Sequence, residues 1–250
     1  MNSLYAASMG MINQQMNVDV ISNNLANINT PGFKKSELNF KDFYYHDMGM
    51  GGNINLMVGQ GSKVAGVSRI HSQGTLTEST NPLDLAIEGE GFFQIQLPDG
   101  TVGYTRDGSF RLDGEGNVVT VEGYFLQPPI HIGGQYSDIM VDNAGNVSIM
   151  PLDGDQPQEV GQITLARFAN PAGLQNISGS IYTQTAVSGV PVQAAGGDGA
   201  GIIRQGYREM ANVNVIEEMV SLIAAQRAYE INSKAVRTAD EMMGIRNNLR

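Results

Sequence analysis

Two long stretches at opposite ends of the chain carry a seven-residue apolar repeat, and most of the glycines lie between them. In residues 3–28, Leu4, Met11, Val18 and Leu25 recur at sevens, Ala7, Ile21 and Ile28 take intervening positions, and Gln14 is the polar exception. That spacing gathers them into one stripe, the pattern of a helix that needs another helix beside it. Asn2 or Ser3 can cap the start. Asn27, Asn29, Pro31 and Gly32 mark the stop, because Pro31 drives Thr30 out of the helical region. Gly10 weakens the middle by about 1 kcal/mol relative to Ala and also lets a neighbour approach.

The second stretch predicts a helix from about 215 to 249, with Asn214 and Glu217 spaced as a capping box. One stripe is Val215, Leu222, Tyr229, Val236 and Met243; beside it run Ala224, Ala228, Ile231, Ala235, Met242 and Ile245. At 1.5 Å per residue the helices would be roughly 39 and 52 Å long. Pairing with each other inside the chain would occupy one stripe of the longer helix and leave the second for another copy. Six or more large side chains per helix, each worth roughly 1.5–3 kcal/mol when buried, are too much apolar surface to leave wet. The first helix has Asp19 as its only charge before Lys34, and its amide-rich flanks suit a crowded assembly.

Between the ends the period becomes two. Phe93, Ile95 and Leu97 alternate with Gln94 and Gln96, turn at Pro98-Asp99-Gly100 and return through Val102 and Tyr104. Shorter pieces follow through Phe110, Val119, Ile130, Ile139, Val147 and Ile163. Asp113-Gly-Glu-Gly-Asn117 is echoed by Asp142-Asn-Ala-Gly-Asn146, which predicts two similar hairpin turns. Glycines in 47–66 mark a long loop or ribbon, and those in 196–201 a hinge. The expected fold is α+β: long N- and C-terminal helices pairing as a coiled coil, a central antiparallel β-rich domain, curled or barrel-like, and extended glycine-rich connectors. The expected parts are 1–33 with 207–250 as the helical domain, 34–82 with 170–206 as connectors, and 83–169 as the β-rich outer domain.

Composition narrows the function. Fifteen Lys and Arg against 25 Asp and Glu leave a net charge of -10 with no long run of either sign, which argues against nucleic acid and anionic membrane as partners. No apolar stretch is long enough for a transmembrane span, and no basic residue precedes the first apolar ones as in a cleaved signal peptide. Cysteine is absent. His46, His71 and His131 lack metal-site spacing, and Asp153-Gly154-Asp155 has only the composition of a calcium loop. No phosphate-binding loop or nucleophile elbow occurs. The expectation is no catalytic, cofactor or metal site, and no enzyme.

The same ends carry a wider signature. Ser22-Asn-Asn-Leu-Ala-Asn-Ile-Asn-Thr-Pro-Gly-Phe-Lys34 closely resembles the N-terminal motif of bacterial flagellar rod and hook proteins. Asn212-Val-Asn-Val-Ile-Glu-Glu-Met-Val-Ser-Leu-Ile and Gln226-Arg-Ala-Tyr-Glu-Ile-Asn-Ser-Lys-Ala resemble the family's C-terminal end. Gly89-Glu-Gly-Phe-Phe-Gln-Ile and Tyr104-Thr-Arg-Asp-Gly-Ser-Phe110 resemble its sheet domain, so the likeness keeps the family's order over essentially the whole chain. It is nearest to the branch that builds the distal rod, although the segment from His46 to Gly61 looks shorter than in that branch, which leaves the proximal rod as an alternative.

The resemblance implies a helical tube that transmits torque and encloses the export channel. Its partners would be further copies of the chain, proximal rod and hook proteins at the two ends, outer ring proteins around it, and the flagellar export apparatus; its place would be the basal body, crossing the periplasm. It makes Leu25 and Ile28 packing residues and Asn23, Asn24, Asn27 and Asn29 helix-end hydrogen bonders. Pro31-Gly32 becomes the exit turn, and Met219, Leu222, Gln226, Tyr229 and Asn232 fall on matching helix positions. The rival from another class is a monomeric adhesion or carbohydrate-binding module with a private helical hairpin.

Overall fold

A computed structural model describes residues 2–42, 45–47, 57–59, 61–152, 156–197 and 199–248. The Asp153-Gly154-Asp155 turn, residues 48–56 and Gln60 of the glycine-rich ribbon, and the last residue of the expected C-terminal helix, Leu249, lie outside them. The chain groups into two compact units, 1–26 with 36–70 and 213–250, and 27–35 with 71–212. Residues 36–70 of the expected connector thus group with the helices, and 170–206 with the sheets.

The helical unit holds α1 (Asn2–Ala26), α2 (Val215–Asn248) and two antiparallel ribbons. Ser36–Asp42 pairs with Ser62–Arg69, with a bulge between Asn39 and Phe40, and Tyr45–Asp47 pairs with Met57–Gly59. Helix α1 ends two residues before the expected stop. Ile28 is therefore not a helical packing residue but part of the turn that follows, where the Thr30 N–H already bonds the Asn27 carbonyl at 3.0 Å.

The second unit is antiparallel sheet. Its main sheet runs Gln175–Ser178, Ile181–Thr183, Val102–Thr105, Phe92–Gln96, Phe125–Gln127, Val118–Val119, Arg111–Leu112; Leu165–Arg167 also joins Phe92–Gln96 and carries Val192–Ala194 on its other side. The ends of this path do not meet, so the barrel-like closure expected from the sequence is corrected to an open sheet. A three-stranded sheet, Tyr136–Val141, Asn146–Pro151 and Gln158–Gln162, and two strand pairs complete the unit.

Its core gathers Phe93, Phe110, Leu126, Ile163, Leu165 and Ile203, with a second cluster of Phe92, Tyr104, Phe168 and Tyr182 in edge-to-face contact. The strand that reads as half-buried is buried on both faces. Phe92 and Phe93 are both covered, and Gln94 tolerates burial because its amide donates to Thr164 Oγ1 at 3.1 Å while its carbonyl accepts from Gln193.

The echoed turns superpose in chemistry. Asp113 Oδ1 accepts from the N–H groups of Glu115 and Asn117, and Oδ2 from the Asn117 amide; Asp142 repeats all three bonds with Ala144 and Asn146. Gly116 and Gly145 sit at φ 87° and 89°, where a side chain would be strained. The Asn117 side-chain amide, then its N–H, holds the Asp113 carboxyl below its ordinary value. Slight burial pushes Asp142 up, but the Asn146 bonds outweigh it and leave it low as well. A lowered folded value means that the turns contribute fully above the unfolded value of about 3.9 and lose that contribution as pH falls through the folded one. Asp142→Asn should therefore flatten the acid limb of the unfolding profile below about pH 4, measured by urea titration across pH; an unchanged limb would deny the turn its role.

Candidate assembly interface

Helices α1 and α2 pack against each other antiparallel. A Cβ built on Gly10 would lie 2.8 Å from Asn232 Nδ2, so the missing side chain makes room for that amide. Further along, Asn24 Nδ2 donates to Glu218 at 3.1 Å. Fourteen residues separate the two contacts on either helix, running in opposite directions. On α2 the covered positions are Glu218, Leu222, Ala225, Ala228, Asn232, Val236, Ala239 and Met243, spaced at threes and fours, with Ser233 half-buried beside Asn232. The stripe named from Val215, Leu222, Tyr229, Val236 and Met243 is thus the seam against α1, although Val215 and Tyr229 at its margin stay about two-fifths exposed. On α1, Leu4, Met11, Val18 and Leu25 are half-buried and Ile21 is buried.

Asn24 is the polar centre of this unit. Its Oδ1 accepts the Ser36 N–H and its Nδ2 donates to the Ser36 carbonyl, both at 2.9 Å. One side-chain amide thereby supplies the pair of bonds that a neighbouring strand would offer, and also meets the buried Glu218 carboxylate. Asn23 and Asn29 are exposed, while Asn27 is half-buried and accepts from Thr30 Oγ1.

Outside the seam α2 is open, and its exposed surface mixes charged residues with two apolar stripes. Ile216, Met219, Val220 and Ile223 form a stripe at 74, 51, 63 and 54 % exposure, and Ile231, Met242 and Ile245 form a second. Of these, Met219 and Ile231 are among the expected site residues; Gln226 is exposed beside them. The Ile216 set is legible in its i, i+3, i+4, i+7 spacing, but the heptad that overlaps it hides it. Tyr5, Ile12 and Met16 likewise face outward from α1.

The signature turn itself belongs to the sheet unit, and its chemistry goes beyond what the motif implies. The Gly32 N–H donates to the Glu209 carbonyl at 2.8 Å, and at φ 67° a Cβ there would lie 2.5 Å from the Asp107 nitrogen. Ser180 Oγ donates to the Pro31 carbonyl, and the Lys35 N–H to Asn212 Oδ1. Lys34 is fully buried: Nζ donates to Glu209 Oε1 at 2.6 Å and to the Ser72 carbonyl at 2.7 Å. Arg106, itself buried and stacked on Phe92, reaches Glu209 Oε2 at 3.3 Å, and the Gly74 N–H donates to Oε1. Burial lowers the Lys34 ammonium, against which Glu209 holds it up. Two cations and one carboxylate thus join Lys34 to residues 72–74, 106 and 209, and nothing in the spacing of the sequence marks that network.

Among the described residues no group of three or more His, Asp or Glu is placed to hold a metal, and no helix is long and apolar enough to cross a membrane. What the geometry offers is surface for packing. The family comparisons fall on the same segments: residues 4–34 match "Flagella basal body rod protein", 86–149 match "Flagellar hook protein FlgE/F/G D1 domain", and 204–249 match "Flagellar basal body rod FlgEFG protein C-terminal". The flagellar basal-body rod protein FlgG of Borreliella burgdorferi is 46% identical over 263 aligned positions, covering 100% of this chain and 99% of the relative. That of Caulobacter vibrioides is 45% identical with complete cover of both, and that of Buchnera aphidicola subsp. Baizongia pistaciae 42% identical over 96% of each. This chain belongs to the flagellar basal-body rod protein family, whose members are structural parts of the basal body and not enzymes.

Proposed function

We propose that the chain is a subunit of the distal part of the flagellar rod, assembling with copies of itself into a tube that transmits torque and surrounds an export channel. The observation that carries this reading is the unpartnered apolar surface of α2, joined to full-length likeness to basal-body rod proteins. In the tube the α1–α2 pair is the unit of a coiled-coil wall, and repeated heterologous contacts that do not close give helical growth. The chain's neighbours are then proximal rod and hook proteins at the ends and ring proteins outside, after delivery by the type III export apparatus. No catalysis is needed; the work is done by packing. The full-length likeness to rod proteins favours this reading over the proximal rod and the monomeric adhesion module.

Ile223→Asp tests this directly. The side chain is more than half exposed, so the variant keeps its monomer fold, and an unpaired charge on a face that becomes buried opposes contact. Expected is loss of fibre growth by sedimentation and electron microscopy, with an unchanged circular dichroism spectrum. Leu222→Asp is less selective, because Leu222 lies in the seam with α1 and the charge would disturb the intrachain pair. Normal fibres from Ile223→Asp would remove α2's outward stripe from the interface.

A further inference from the structure

Charge is divided very unevenly in this chain. Residues 27–35 and 71–212 contain 16 Asp and Glu but only seven Lys and Arg, a net of -9, whereas the helical unit carries nine and eight. Yet the 30 residues from Phe168 to Gly197 contain no charged side chain. Within that stretch Val187, Val190 and Val192 are 70, 84 and 66 % exposed.

Val187 and Val190 sit on a framed loop, and Val192 opens the strand that follows it. Thr185 Oγ1 donates to the Gly173 carbonyl at 2.6 Å, the Thr185 N–H donates to Ser188 Oγ at 2.9 Å, and the Asn170 amide donates to the Val187 carbonyl at 3.3 Å. Ser188 at the centre is fully buried. Beside the loop, the strand Val192–Ala194 pairs with Leu165–Arg167 alone among the described strands, so its other edge is open. An exposed apolar loop, held by its own hydrogen bonds, next to an open strand edge is a surface suited to a protein contact.

We infer that residues 168–197 are a second self-association surface, through which the sheet unit of one copy docks on that of another. Charge selects the occupant. A basic partner would be drawn to the acidic remainder of the unit, whereas two units of like charge meet at least cost where neither carries any. This rests on the self-assembly reading and adds to it an interface separate from the helices.

The test uses the full chain with Val190→Glu, and separately with a photo-reactive benzophenone residue at position 190. Expected are a critical concentration for fibre growth raised about tenfold or more, the factor that ~1.4 kcal/mol of lost contact produces, unchanged hydrogen exchange at core amides, and cross-links from position 190 to residues 71–212 of a neighbouring copy. Raising the salt should speed wild-type growth by screening like charges. If the wild type forms fibres and Val190→Glu grows equally well, or position 190 links only within its own chain or to helices, this surface is wrong while self-assembly stands. Growth that slows as salt rises overturns the charge argument and with it the choice of occupant. A wild type that forms no fibres removes the assembly reading and this one together.

Discussion

Glu209→Leu is expected to lower the unfolding free energy of the sheet unit by about 3–5 kcal/mol, because it leaves two buried cations without the carboxylate they share. Lys34 and Arg106 are both almost wholly covered, and Glu209 meets each of them. The loss should be much greater than a surface ion pair would give, for which about 0–1 kcal/mol is usual. Urea unfolding followed by tyrosine fluorescence suits the measurement, since the chain has nine Tyr and no Trp. Replacing all three residues by apolar ones, Lys34→Met and Arg106→Met with Glu209→Leu, should recover much of the loss, since burying apolar groups avoids the cost of desolvating charges. A cost below about 1 kcal/mol for Glu209→Leu alone would mean that the ions are incidental to how residues 27–35 are held.

The second large effect belongs to Asn24. Asn24→Ala removes the partner of both the Ser36 N–H and its carbonyl, and takes a donor from Glu218. Stranded buried polar groups cost about 1–3 kcal/mol each, so a loss of roughly 3 kcal/mol or more is expected in the helical unit. Asn24→Asp, nearly the same shape, should not rescue it: a carboxylate cannot donate to the Ser36 carbonyl and would face the buried Glu218. Hydrogen exchange in α1 and α2 separates the outcomes. If the aspartate variant protects as well as wild type, the amide's donor half is dispensable.

How much of this can be read beforehand divides by the kind of force. Helix existence follows from heptads and end signals, and both helices are where those signals put them, within two residues at the N-terminal stop. Along α1 the residues Leu4, Met11, Val18 and Leu25 are half-buried, and the helix meets α2 at Gly10 and Asn24. Periodicity cannot say which stripe of α2 meets which neighbour: the Leu222 stripe is the internal seam, while Ile216, Val220 and Ile223 face outward. Turn chemistry is local and readable: the Asp113 and Asp142 turns match bond for bond. Sheet closure is not, because it depends on whether Gln175–Ser178 and Arg111–Leu112 meet, and no residue pattern in either strand encodes the other. Least legible is Lys34, which looks like an ordinary basic residue at the end of a motif. Its burial depends on Glu209, 175 residues away, and such a contact leaves no periodic trace.

The two contacts between α1 and α2 have a bearing on how the chain tolerates change in length. Gly10 faces Asn232 and Asn24 faces Glu218, so the stretches 10–24 and 218–232 must stay equal in residues and in phase. One inserted residue in either would turn everything beyond it by about 100° around the helix axis and leave one contact facing the wrong way. The 250-residue chain aligns over 263 positions with its Borreliella relative, so residues have been gained or lost between them. Between the two contacts such a change would be read as a fault, whereas in the ribbons and loops it adds only length.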